Sequence, residues 1–297
     1  MRSWKPHTGK QRVIAFSPDG STLATSGGTS GFVWLWDPPT GELKAKLQTG
    51  VVRTAEFSPD GRHLATPGSN GLVLIWSLES SSPELVRKLA VGGGSEFLAF
   101  SPADGRLVSA TASNCILWHN PLDARWTMRG PPDRAATRNP YGEPIRSIRF
   151  TRDGAQLLVG AADLELWSPD LSGRVGVIPT NKRNGIVAIA LSQDGSRAAI
   201  VIRNTVRICA LAEQKFERTL HWGRDMVHTV AFTPDSRTLL TAGADGSVRF
   251  WDVATGQEMR RFDWGIGKVS AAAFAPDGLT CAAGGEKGEI VVWDVDT

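Results

Sequence analysis

Histidine, cysteine and glycine-lysine are the places to look first for chemistry in this chain. The five histidines, 7, 63, 119, 221 and 228, fit no metal-ligand spacing. Cys115, Cys209 and Cys281 are an odd set, far apart and embedded in apolar runs, without metal or redox spacing. They read as buried, reduced thiols. The stretch "GIGKVS" at 265–270 has Gly-Lys but lacks the full phosphate-loop pattern, and it precedes a strand rather than a helix. Two catalytic partners are not brought together anywhere, so no reaction can be assembled. The expectation is a protein that is not an enzyme and uses no metal or cofactor.

The elements that carry these residues follow from composition and period. The chain has 297 residues, 41% hydrophobic and 21% charged, with 32 Gly and 17 Pro: enough apolar material for a large core, cut by many turns. A formal charge of +3 is too balanced to call for nucleic acid. Arg exceeds Lys 24 to 9, as a GC-rich bacterial coding sequence would give. The opening "MRSWKPHTGK" has no apolar core of a signal peptide, and no run of about 18 apolar residues exists to span a membrane. A cytoplasmic location is expected.

One phrase recurs seven times: "FSPDG" at 16 and 57, "FSPADG" at 100, "FTRDG" at 150, "LSQDG" at 191, "FTPDS" at 232 and "FAPDG" at 274. The spacings are 41, 43, 50, 41, 41 and 42. A second landmark follows 17 to 20 residues after each: Trp36, Trp76, Trp118, Trp167, Cys209, Trp251 and Trp293. Within a copy the apolar runs and the Pro-Asp-Gly and Gly-Ser turns predict four short strands. A four-stranded sheet that is apolar on both faces must be covered on both, so the copies must stack, and the stack must close or be capped.

These residues resemble the WD-repeat (tryptophan–aspartate) β-propeller family along the whole chain. The resemblance implies an all-β, seven-bladed propeller, a single domain over 1–297, built of four-stranded antiparallel blades. It also implies that strand a lines the axis and that the d–a loops form a top face. The last copy ends after strand c, so the N-terminal "MRSW" is expected to supply its fourth strand and close the ring. By likeness to "ERTLHW" and "RRFDW", Trp4 is aligned with Trp222 and Trp264. The family's polar network is incomplete: its His is present only as His7 and its turn Asp clearly only as Asp245. Apolar contact between blades is therefore expected to dominate stability.

The family geometry then nominates sites. Just before the Phe stand Ala15, Glu56, Ala99, Arg149, Ala190, Ala231 and Ala273, with Glu56 and Arg149 expected to reach into the channel. Four before it, near the top mouth, stand Arg12, Arg53, Glu96, Arg146, Val187, His228 and Ser270. Three arginines there could clamp a carboxylate, phosphate or acidic peptide; the plainer alternative is solvated rim charge, with Glu96 neutralising a neighbour. The long connection 129–144 offers Arg134, Arg138 and Tyr141 as partner anchors, or is a tolerated insertion. Trp4, Trp222 and Trp264 would form an aromatic patch on the top rim, or simply cap the blades. Together these point to a monomeric scaffold presenting its top face to a protein or peptide, with an acidic one suiting the arginines. The competing reading is a propeller enzyme or small-anion sensor at the channel mouth.

Overall fold

The repeated turn phrase organises each copy. Ser17 Oγ donates to Asp19 at 2.5 Å and accepts from Thr22 N at 2.9 Å, while the Asp19 carboxylate also accepts from Ser21 N at 3.0 Å. Gly20 closes the turn at φ 73°, a conformation that favours glycine. The same hydroxyl-to-Asp bond links Ser58 to Asp60, Thr151 to Asp153, Ser192 to Asp194 and Thr233 to Asp235. In copy six Ser236 takes the left-handed position usually given to Gly, at φ 62°. The turn polarises strand a against strand b and fixes their register.

The computed structural model describes residues 1–5, 9–28, 30–91, 96–111, 115–119, 144–180 and 185–295. Each copy folds as one antiparallel sheet whose strands follow chain order. In blade 1 these are strand a (Gln11–Phe16), b (Leu23–Gly27), c (Phe32–Trp36) and d (Leu43–Gln48). Six sheets have four strands; blade 3 has three among the described residues. The a strands touch their neighbours in succession, and Gln11–Phe16 meets both Glu56–Phe57 of blade 2 and Val269–Phe274 of blade 7. The ring is closed: a seven-bladed β-propeller. No α-helix is present among the described residues, only a 3-10 turn over Ser69–Gly71.

The ring closes where expected, but in a different register. Arg2–Trp4 pairs antiparallel with strand c of blade 7, Ile290–Asp294, matching Arg2 to Val292, Ser3 to Val291 and Trp4 to Ile290. Ile290 is the counterpart of Val206 and Val248, whose partners are Leu220 and Phe262. Trp4 is thus equivalent to Leu220 and Phe262, two residues short of Trp222 and Trp264. Aromatic identity misled the alignment, because inward direction on strand d belongs to the earlier position.

The core lies between blades as much as within them. Trp251 of blade 6 shares an apolar cluster with Ile208, Leu220 and Trp222 of blade 5. Blade 7's Ile290 and Ala282 are clustered with Trp34 and Trp36 of blade 1. Part of the family's polar network also survives. The indole Nε1 of Trp36, Trp76, Trp118 and Trp251 donates to Thr25 (2.8 Å), Thr66 (3.2 Å), Ser109 (2.9 Å) and Thr241 (2.7 Å). The acceptor always lies on strand b, two residues past the Trp's cross-strand partner. Blade 4 has Val159 there, and Trp167 donates instead to Glu165 at 2.9 Å. In blade 7 the residue is Ala283, and Trp293 Nε1 is buried with no hydrogen-bond partner. Blade 5 has lost both members: Cys209 replaces the Trp and Ile200 the hydroxyl, and both are fully buried.

Candidate functional site

A channel of about 940 Å³ runs along the axis. Strand a supplies three tiers of its wall. The middle tier is the residue before each Phe, and all seven (Ala15, Glu56, Ala99, Arg149, Ala190, Ala231 and Ala273) line the lumen. Two residues after the Phe, at the lower end, Pro18, Pro59, Pro102, Pro234 and Pro276 share the wall with Arg152 and Gln193. At the upper end stand Arg12, Arg53, His228 and Ser270. Arg12, His228 and Ser270 each fall where the a–b register shifts by one residue. A bulge re-aims the extra side chain, and here it turns these three toward the axis.

The upper arginines are not an isolated trio. Arg53 Nη1 lies 3.5 Å from Glu96 Oε2, with both side chains well exposed, so the pair contributes little to stability. Arg146 is exposed and does not line the channel. The positive charge is instead extended by two residues that the repeat pattern did not nominate, Lys10 and Lys268. Partial burial and then the charges of Arg12 and Lys268 lower the pKa of Lys10. Lys268 is 3.7 Å from Glu286. His228 Nδ1 lies 2.8 Å from the Val269 carbonyl; burial, against that bond, lowers its pKa, with Lys10 and Lys268 acting in the same direction as burial. Among the described residues no carboxylate lies within 4.0 Å of Lys10 or Arg12, and Arg12 Nε is buried without a hydrogen-bond partner. The mouth therefore carries a basic arc across blades 7, 1 and 2, which His228 of blade 6 extends only when protonated.

The tryptophans proposed as a top-rim patch lie in separate clefts between blades. Trp4 packs on Trp36 at 5.8 Å between centroids, Trp222 on Trp251 at 6.5 Å, and Trp264 between Phe262 (5.5 Å) and Trp293 (4.3 Å). In each case strand d of one blade, or the residues just after it, wedges against the strand c Trp of the next. Trp222 is only 3% exposed, and the Arg249 guanidinium covers it at 4.0 Å. Asp245, expected to serve a Trp network, holds that arginine: Arg249 Nη2 lies 2.5 Å from Asp245 Oδ2, while Nη1 donates to the Trp222 carbonyl at 3.0 Å. Arg207 repeats the device one blade earlier, donating to the Thr180 carbonyl at 2.8 Å. These groups join blades; Trp222 is buried there, while Trp4 and Trp264 remain partly exposed. His7, Arg134, Arg138 and Tyr141 lie outside the described residues.

Signals for the missed residues existed. Arg152 stands where five copies have Pro, so "FTRDG" already marked it as a departure. Lys10 sits two residues before Arg12, but its direction depends on the bulge, which the sequence does not display.

The family model described as WD domain, G-beta repeat matches residues 1–37, 39–77, 214–252 and 259–294. Among curated proteins the chain is 29% identical over 139 residues to an uncharacterized WD repeat-containing protein of Synechocystis sp., covering 46% of this chain and 40% of that one. It is 27% identical over 122 residues to protein groucho of Drosophila melanogaster, covering 39% and 16%. A WD repeat-containing protein of Arabidopsis thaliana, ATCSA-1, is 28% identical over 114 residues, covering 36% and 25%. These matches span between 16% and 40% of the relatives' own lengths.

Proposed function

Because the chain belongs to the WD-repeat family, whose propellers generally act as protein-interaction scaffolds, we propose that it is a non-enzymatic platform whose top face receives an acidic protein or peptide. The observation that carries this reading is the basic arc, in which Lys10 and Arg12 have no carboxylate within 4.0 Å among the described residues. Such a patch favours an anionic partner through a field that reaches about 8 Å at physiological salt. The rigid ring adds preorganisation, since a partner that docks on it need not order the surface first.

The test compares two charge reversals with a fluorescein-labelled oligoglutamate as probe. Lys10, Arg12 and Arg53 are changed together to Glu on the top face. Arg62, Lys215 and Arg237, exposed at the opposite end of the strands, are changed together to Glu as the control. Both sets alter net charge equally; exposed charges contribute little to stability, and a thermal melt of each variant checks the fold because Arg12 is partly buried. The top set should weaken binding by more than about tenfold and the bottom set by less than about twofold, with wild-type affinity falling as salt rises. Equal losses, or loss from the bottom set alone, would remove the top face from the reading.

A further inference from the structure

The lower tiers of the channel carry a charge pattern that a peptide seated on the rim would not use. Five alanines in the middle tier and five prolines below it keep the lumen wide. The charged residues lining it at neutral pH are Arg12, Arg53, Arg149 and Arg152 against one carboxylate, Glu56, with His228 beside them. Arg149 Nη1 donates to the Ile148 carbonyl at 2.9 Å, and among the described residues neither Arg149 nor Arg152 has an ion-pair partner within 4.0 Å. Both come from blade 4 and line the lumen, Arg149 from strand a (Ser147–Phe150) and Arg152 from the turn that follows it. Glu56 projects from blade 2. Burial raises its pKa, against the opposing charge of Arg149, so proton uptake by Glu56 makes the lumen more positive still.

A cleft with charge of one sign and low-dielectric walls concentrates the opposite ion. Guanidinium groups suit phosphoryl oxygens in particular, which accept several short charge-assisted hydrogen bonds. The volume of about 940 Å³ lies near the upper end of the roughly 300–1,000 Å³ usual for small-molecule sites. We propose that the channel binds a small oligophosphate, whose phosphoryl groups are held by Arg149 and Arg152 on blade 4 beneath the Arg12–Arg53 mouth. Glu56 opposes the bound anion when ionised and so sets the pH dependence of the site. Arg149 and Arg152 are not among the rim residues Lys10, Arg12 and Arg53, so variants of the blade 4 pair test this site without altering the peptide surface.

Isothermal titration with inorganic tripolyphosphate, at low ionic strength, tests the site. Wild-type protein should bind one tripolyphosphate per chain, more tightly than orthophosphate or sulfate, and its affinity relative to the Glu56→Gln protein should rise as pH falls, a ratio in which the ligand's own protonation cancels. Arg149→Gln and Arg152→Gln should each weaken binding by about tenfold, the loss of one charge-assisted contact. Glu56→Gln should strengthen binding at neutral pH and flatten the pH dependence, a gain that misfolding cannot imitate. Absence of saturable heat would overturn the proposal. So would sulfate binding as well as tripolyphosphate, arginine variants that titrate like wild type, or a Glu56→Gln protein that binds no more tightly.

Discussion

Replacing Trp4 by Ala should cost nearly as much stability as deleting residues 1–5 altogether. The seam consists of three residue pairs, and Arg2 and Ser3 are exposed. Pairing three backbones gains about 1 kcal/mol per hydrogen bond, while ordering each residue costs about 1–2 kcal/mol, so the two nearly cancel. What remains is the half-buried Trp4 ring, centred 5.8 Å from that of Trp36, with its Cε3 3.5 Å from where a Cβ on Gly41 would stand. A fully buried Trp→Ala change costs about 3–5 kcal/mol; half burial scales that to about 2 kcal/mol. At roughly 2 °C per kcal/mol for a chain of this size, the melting temperature should fall by about 4 °C. Calorimetric melts of wild type, Trp4→Ala and the truncation measure this. Size-exclusion chromatography should add a difference between the variants: only the truncation uncovers the Ile290–Asp294 edge, so only it should self-associate. A Trp4→Ala protein melting within about 1 °C of wild type would refute the reasoning. So would a truncation that loses several times more than the point variant, which would return the seam's strength to its backbone pairs.

Cys209, pushed up to about 12 by burial and then by the Glu217 and Glu213 charges, should not react with thiol reagents until the protein unfolds, and labelling of the native state would contradict its inward position. Thr241→Val should cost about 1–2 kcal/mol in denaturant melts by leaving the Trp251 indole without its buried acceptor, and no loss would deny that bond a role. Glu56→Gln should raise the melting temperature at neutral pH. The folded-state pKa is raised, so ionised Glu56 destabilises above it; the advantage of Gln should shrink as pH falls into the ordinary carboxylate range, and a pH-independent difference would point elsewhere. The basic arc should grip oligoglutamate more strongly once the pH falls below the depressed pKa of His228, and His228→Gln should remove that step.

The ring and its seven copies were legible because the turn phrase is a local device. Ser or Thr, Asp and Gly make their bonds within a few residues of one another, so the sequence displays the whole unit. The middle tier of strand a was legible for the same reason, since the Phe fixes the neighbour that faces the axis, whereas the upper tier depends on bulges. The Trp–hydroxyl pairs were equally visible: Thr25, Thr66, Ser109 and Thr241 stand at one offset, and the blades without them carry Val, Ile or Ala there. The neutralising role expected of Glu96 is met by its pairing with Arg53. What the sequence hid depends on contacts between blades. Arg249 spans from Asp245 to the preceding blade, and the Trp4 register is set by hydrogen bonds to residues nearly 290 positions away. An aromatic residue alone could not announce that register.

The antiparallel seam also fixes where the two ends of the chain emerge. Arg2 faces Val292, so the outward ends of both strands leave from the same side as the Pro-Asp-Gly turns, opposite the basic mouth. Force applied to the two ends would act across the seam rather than along it. The ring would unzip pair by pair from Arg2 and Val292, with the Trp4 ring as the last catch.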